Sequence, residues 1–412
     1  MTDAERQTFL IERLGQRGDG IAPGPVFARL TLPRETVSGV LCGSQLTDVK
    51  IITVSPDRVA PPCRHFKTCG GCQLQHGADN FVENWKRDIV IHALNAHGLD
   101  TELRPIVTSA PQSRRRATLS ARRTKKGAMA GFHARASEMV VEVPDCKLLE
   151  PELLGALPVA EALARVGASR RGELNVTATL SQMGLDIAVE GGLQAEGPML
   201  VSLAQEAERF NLARLTWNGN VIATRHPPEQ KFGKVAVVPP PGAFLQATKS
   251  GEAALLSAVK EITQGASHIV DLFAGCGTFA LPLAETAMVH AVEGSAAMTQ
   301  TLEDGWRKTS GLKPVTTEAR DLFRRPLLPE ELRSFEACVI DPPRAGAEAQ
   351  VAMLAHSKIA RIAHVSCNPT TFARDARSLV DAGYTLDWLQ IVDQFRWSSH
   401  VELIASFTLT SP

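Results

Sequence analysis

The stretch Ile362-Ala-His-Val-Ser-Cys-Asn-Pro-Thr-Thr371 decides how the C-terminal half of the chain is read. Ile362 to Val365 is a short, mostly apolar run of the kind that forms a buried strand. It stops at Ser366, and Pro369 forbids its immediate continuation. Cys367 is therefore expected at the carboxyl end of a strand, on a turn before a helix. In open α/β sheets ligands bind at that edge. A cysteine there is either a small packing residue or a nucleophile, reactive once a neighbour lowers its pKa from ~8.5.

The surrounding pattern supports an open α/β sheet. After Pro239-Pro-Pro-Gly242, residues 250 to 263 place Leu255, Leu256, Val259 and Ile262 on one helical face. Strand-like segments then recur at 268–273, 288–293, 337–341, 361–366, 386–392 and 402–409. This predicts a doubly wound parallel sheet with an antiparallel tail. The segment His268-Ile-Val-Asp-Leu-Phe-Ala-Gly275-Cys-Gly277-Thr278-Phe279 reads as strand, glycine-rich loop, helix. Such a loop lets backbone approach a ligand closely. The third glycine of a dinucleotide site is missing. Asp271, and Glu293 at the end of the next strand, can bind amino and hydroxyl groups. Asp341-Pro-Pro-Arg344 ends a further strand, and its prolines stiffen the turn that presents Asp341.

Upstream, residues 1–58 alternate short strand-like runs with Gly18-Asp-Gly20 and Pro23-Gly-Pro25, the pattern of a small β-barrel. Pro61-Pro62 marks a boundary, and Cys63, Cys69 and Cys72 follow it in C-x5-C-x2-C spacing. A helix is expected from 79 to 97. Residues 59–238 read as an α+β middle domain, with one further helix near 151–166. The third span, 239–412, holds the open sheet. In 412 residues, 44 basic and 44 acidic side chains cancel, so net charge gives no global sign of nucleic acid. Locally, Arg114-Arg-Arg116 and Arg122-Arg-Thr-Lys-Lys126 carry seven cations and no acid, which suits phosphate contact. Met1 to Thr8 has no signal-type apolar core and no run suits a membrane span, so a cytoplasmic protein is expected. Its eight cysteines then argue for metal or catalysis rather than disulfides.

Five stretches together resemble the RNA uracil-C5 methyltransferase family, and in particular its iron–sulfur-containing 23S rRNA branch. They are Phe244-Leu-Gln246-Ala-Thr, Asp271-Leu-Phe-Ala-Gly-Cys-Gly277, Asp341-Pro-Pro-Arg-Ala-Gly, Val365-Ser-Cys367-Asn-Pro and His400-Val-Glu402. The resemblance runs from about residue 8 to 407. It implies a multidomain α/β chain: a Rossmann-like class I S-adenosylmethionine methyltransferase domain, an N-terminal OB-like barrel of the TRAM type, and an α+β iron–sulfur middle domain. It implies Cys367 as nucleophile and Glu402 as base. Gln246, Phe273, Thr278, Glu293, Asp321 and Asp341 would line the cofactor or uracil pocket. Cys63, Cys69, Cys72 and Cys146 would ligate a [4Fe–4S] cluster, although the spacing alone equally allows zinc. The chain departs from the family at Thr248 and Thr278, where Asn is frequent, and at Phe395-Arg-Trp-Ser-Ser399. A monomer acting on 23S rRNA is the leading expectation. The same reaction on the T-loop of tRNA, or a non-catalytic iron–sulfur RNA-binding protein, are the alternatives.

Overall fold

Strand-forming runs such as Ala337-Cys-Val-Ile340 are buried along their whole length, as parallel strands covered on both faces must be. They build the central sheet of a computed structural model that describes residues 5–410; the outermost ends of the spans 1–58 and 239–412 lie outside the described residues. Its nine strands run, from one edge, Val315–Ala319, Met288–Glu293, His268–Leu272, Ala337–Ile340, Arg361–Ser366, Leu403–Leu409 and Tyr384–Asp393. Glu102–Leu103 and Val107–Thr108 complete it beside Tyr384–Asp393. The first five are parallel neighbours, and Leu403–Leu409 inserts antiparallel. Chain order reverses between His268–Leu272 and Ala337–Ile340, which opens a crevice at their carboxyl ends.

Side chains alternate between two cores. Ile269, Val339, Ala363, Val365 and Ile404 pack beneath the helices Lys249–Ile262 and Ala296–Lys308. Val270, Ile340, Ile362, Leu403 and Phe407 pack on the opposite face with Phe372 and Leu379 of the helix Pro369–Asp381. Cys276 and Cys338 are buried packing residues, one in each core. Cys42, for which packing was also expected, is exposed.

The helix Asp79–Asn95 also belongs to the second core, through Val90 and Leu94, with Leu99 just beyond it. Residues 79–108, expected within the middle span, thus pack on the C-terminal sheet. The middle sheet itself has seven strands, from Arg116–Thr124 to Asn220–Thr224. Two helices cover it rather than the one expected: Ala156–Gly167 and Pro198–Arg209. Pro198 at the first helical position and the Met199, Leu203, Ala207 spacing were the available signal. The N-terminal strands, Arg6–Leu10 to Gln45–Thr53, form one six-stranded sheet. Among the described residues no helix is long and apolar enough to cross a membrane.

A fully buried ion pair fastens the helix Asp79–Asn95 to the central sheet. Lys86 Nζ lies 2.6 Å from the Asp393 carboxylate and donates to the Phe395 carbonyl at 3.2 Å. Burial lowers the Lys86 pKa, and Asp393 pulls it back up. Lys86→Met or Asp393→Leu alone should cost about 3–5 kcal/mol, because each leaves a buried charge alone. The double substitution should recover most of that loss in chemical denaturation. An additive loss would show that the pair itself contributes nothing.

Candidate active site

The strand Arg361–Ser366 pairs antiparallel with Leu403–Leu409, with Ser366 opposite Leu403. One step further on each chain sets Cys367 beside Glu402 at the mouth of the crevice. The turn after Cys367 is fixed locally. The Asn368 side chain accepts from the Thr370 amide at 3.1 Å, capping the helix Pro369–Asp381, and donates to the Arg344 carbonyl at 2.9 Å. The Cys367 turn and the Asp341-Pro-Pro-Arg344 turn are thereby tied together.

Four acids converge on this crevice with little to offset them. Asp271 is fully buried, and neither carboxylate oxygen has a hydrogen-bond partner. Burial and Asp341 push its carboxyl far up; the Ala280 amide pulls the other way, and Glu293 adds further repulsion. Burial raises Asp341 to about 7. Burial and then Asp341 raise Glu402 to about 8, opposed by a hydrogen bond from Gln394. The lowered thiol pKa expected for Cys367 is not found. Burial, Glu402 and Asp341 push it up to about 11, and Arg344 opposes them.

Gln246 and Gln394 join these groups. Gln394 Nε2 donates to Gln246 Oε1 at 2.5 Å, and Gln246 Nε2 donates to Asp341 at 3.2 Å. Both glutamines are buried. Gly251 has no side chain where Gln394 passes; a Cβ there would come within 2.8 Å of the Gln394 Cβ. Thr248 caps the helix Lys249–Ile262 by accepting from the Gly251 amide at 3.0 Å. Its hydroxyl thus serves where the family often has Asn. Gln394 was missed in the sequence. Its one signal was a polar residue closing an apolar strand at the same sheet edge.

The residues expected on the cofactor side line the carboxyl edge of the first three strands of the doubly wound half. Glu293 accepts from the Gly275 amide at 3.1 Å and the Ser295 amide at 2.9 Å, which leaves lone pairs free on both oxygens. Gly277, at φ 94°, lets the loop lie against Leu281 and Leu302. Thr278 is half-buried in the same loop, before a helix of one turn, Ala280–Leu283. Phe273 sits at φ 62° with its ring 5.5 Å from that of Phe323. Asp321 is exposed and accepts from the Phe323 amide at 3.0 Å, so it shapes the loop that presents Phe323. Phe323 was not singled out in the sequence.

The expected seven-cation surface divides. Arg115 is buried, pairs with Glu252 and donates to the Gln246 carbonyl at 3.0 Å. Arg116 donates to the Gly242 carbonyl at 3.0 Å. These arginines brace the Gln246 segment. Only Arg123, Lys125 and Lys126 are exposed, at the hairpin tip.

Cys63, Cys69, Cys72 and Cys146 are buried free thiols, near enough to repel one another. Burial and their mutual repulsion push Cys72 up to about 12, with Gln75 opposing. Burial likewise raises Cys69 and Cys146. The Arg114 and Arg135 guanidiniums stand close by. Among the described residues no three His, Cys, Asp or Glu side chains close to the spacing of a single metal ion. The four thiols and two cations do suit an anionic all-sulfur centre.

A family model described as tRNA (Uracil-5-)-methyltransferase matches residues 312–407, which include Cys367 and Glu402. An uncharacterized RNA methyltransferase of Rhizobium meliloti is 44% identical over 97% of this chain and 98% of its own length. The 23S rRNA (uracil(1939)-C(5))-methyltransferase of Chromohalobacter salexigens is 30% identical over 100% of this chain and 91% of its own. Among solved structures, the Pyrococcus abyssi tRNA (uracil-54, C5)-methyltransferase in complex with S-adenosyl-L-homocysteine superposes with a TM-score of 0.75. It is 21% identical and covers 97% of this chain and 99% of that one. By crevice, fold and full-length relatives, the chain belongs to the S-adenosylmethionine-dependent RNA uracil-C5 methyltransferase family.

Proposed function

We propose that this protein methylates C5 of a uridine in 23S rRNA, with Cys367 as nucleophile and Glu402 as base, acting as a cytoplasmic monomer. The observation that carries the reading is the Ser366–Leu403 pairing, which sets thiol and carboxylate side by side at the ligand edge of the sheet. The choice of 23S rRNA draws on the Chromohalobacter salexigens relative.

Uracil C5 is not nucleophilic unaided. The Cys367 thiolate adds to C6, and the C5–C6 electron pair moves toward the C4 carbonyl to give an enolate. C5 then forms its bond to the methyl carbon as the methyl–sulfur bond breaks. Glu402 removes the C5 proton, the double bond re-forms and Cys367 leaves as thiolate. S-adenosylmethionine supplies the electrophilic methyl on a cationic sulfonium. The acids of the crevice suit that positive charge, which would offset their repulsion on the Cys367 thiolate. Glu293 is assigned to the ribose hydroxyls, Asp271 to the amino group and Asp321 to the adenine amine. Phe273 and Phe323 offer apolar surface to the adenine, and Thr278 lines the loop. Asp341 and Gln246 are assigned to the polar edge of a uracil flipped out of its stack.

We also assign Cys63, Cys69, Cys72 and Cys146 to a [4Fe–4S] cluster, on the chemistry of the donor set and the family resemblance. The N-terminal six-stranded sheet is assigned to RNA binding as a TRAM-type module, together with the Arg123, Lys125 and Lys126 tip.

RNA carrying 5-fluorouridine, incubated with S-adenosylmethionine, should form a covalent complex that a denaturing gel resolves. No complex with wild type, or one that survives Cys367→Ala, would overturn the mechanism. Loss of 5-methyluridine from tRNA rather than 23S rRNA in a deletion strain would move the target.

Turnover should rise with pH through about 8, as Glu402 ionises. Stability runs the other way. The folded state keeps a Glu402 proton that the unfolded chain releases near 4.5, so stability is lost as pH rises from there to about 8. Glu402→Gln should therefore be more stable than wild type at pH 8, by on the order of a few kcal/mol, with the gap closing toward pH 4.5. Denaturation at both pH values measures it.

Anaerobic purification should yield ~4 iron atoms per chain with visible absorbance, lost in Cys72→Ser. Zinc in their place would remove the cluster assignment.

A further inference from the structure

The link between the strands Tyr384–Asp393 and Leu403–Leu409 ends on Glu402, and its fourth residue, Trp397, is held from the cysteine loop. The Gln73 and Leu74 amides both donate to the Trp397 carbonyl, at 2.8 and 2.9 Å. The buried Trp397 indole packs with Cys63, Phe66 and Cys72. Trp397 sits at φ 60°, a left-handed conformation that a bulky residue rarely takes without support. Arg396 lies over the indole, 5.1 Å from the ring centre, pairs with Asp79 at 2.6 Å and donates to the Ser109 carbonyl at 3.2 Å. Beyond it, the Ser398 amide closes a turn on the Phe395 carbonyl at 2.9 Å. The Ser398 hydroxyl then accepts from the His400 amide at 3.2 Å. Two residues later the chain reaches Glu402. A strained residue anchored on two thiol-bearing positions therefore sets the path of the link that delivers the base.

We propose that Trp397 is a positioning residue that transmits the order of the four-cysteine site to Glu402. Loss of the metal group from those thiols then slows removal of the C5 proton while leaving thiol addition and methyl transfer in place. The inference rests on the function proposed above. It needs no electron transfer. When proton removal fails, the species left behind is a C5-methylated uracil still bonded through C6 to Cys367.

The full-length chain, purified anaerobically, is incubated with S-adenosylmethionine and an unmodified 23S rRNA transcript. Covalent protein–RNA complex and released 5-methyluridine are both quantified, alongside iron content and thermal melting. Glu402→Gln sets the ceiling for trapped complex. Trp397→Ala and metal-stripped wild type should each accumulate complex and turn over roughly ten- to a hundredfold more slowly. Trp397→Phe, which keeps a ring between Cys63 and Cys72, should return most of the turnover. If Trp397→Ala does not fold, the metal-stripped wild type and Trp397→Phe decide alone. Wild-type turnover in the stripped protein, or a parallel loss of complex and turnover in the variants, overturns the proposal. If Glu402→Gln traps nothing and 5-fluorouridine RNA forms no complex with wild type, the functional reading itself has failed. If both form complexes but Trp397→Ala accumulates none, only the coupling has.

Discussion

The antiparallel entry of Leu403–Leu409 into an otherwise parallel neighbourhood is the constraint on which the site depends. Parallel strands all bring their carboxyl ends to the ligand edge. An antiparallel strand brings its beginning there, and Glu402 is the residue immediately before this one. The side-chain period of a strand is two, so a slip of one residue would turn the whole strand over. The alternation of Leu403, Ala405 and Phe407 into one core and Ile404 into the other forbids that slip. The relative position of the Cys367 thiol and the Glu402 carboxylate is thus a consequence of apolar packing on both faces of the sheet.

The crevice is electrostatically unlike the rest of the interior. Elsewhere the chain pairs its buried charges: Lys86 with Asp393, Arg115 with Glu252, Arg214 with Asp186. Among the described residues Asp271, Asp341 and Glu402 have no cation of their own, and burial drives all three toward the neutral form. A fold that satisfies charges so regularly is strained by leaving three together, and such strain concentrates at functional sites. The elevated Cys367 pKa follows from the same crowding. A reactive thiol is expected to have a neighbour that lowers its pKa. Here burial, Glu402 and Asp341 outweigh Arg344, and the further positive charge suited to that role belongs to the ligand.

What was legible in the sequence was whatever depends on local residue order. The strand, stop and proline around Cys367 placed it on its turn, and the glycines of 275–277 placed the loop between strand and helix. The apolar runs located the central strands to within a few residues. What was not legible depends on long-range register or on side-chain reach. Glu402 meets Cys367 only through strand pairing, and its assignment came from resemblance rather than pattern. Gln394 matters because it contacts Gln246, from which it is remote in sequence. Arg115 lay in a basic run that looked like surface, yet its guanidinium is buried against Glu252. No local pattern separates an arginine that braces a neighbouring segment from one that meets phosphate. The helix Pro198–Arg209 was a different kind of miss, since its proline and apolar spacing were present and were passed over.

The domain boundary near Pro239 is therefore a boundary of pattern more than of mechanical independence. A chain cut there would lose Val90, Leu94 and Leu99 from the second core and thin the cover over that face of the sheet. Asp393 would be buried without Lys86, the Gln246 carbonyl would lose Arg115, and Trp397 would lose the two amides that hold its left-handed backbone. Each of these supports reaches a residue within one position of Gln394, or Gln246 itself, or the link to Glu402. The open sheet supplies the crevice. The upstream segments hold in place the groups around Glu402, so the geometry of the crevice belongs to the whole chain rather than to the span 239–412 alone.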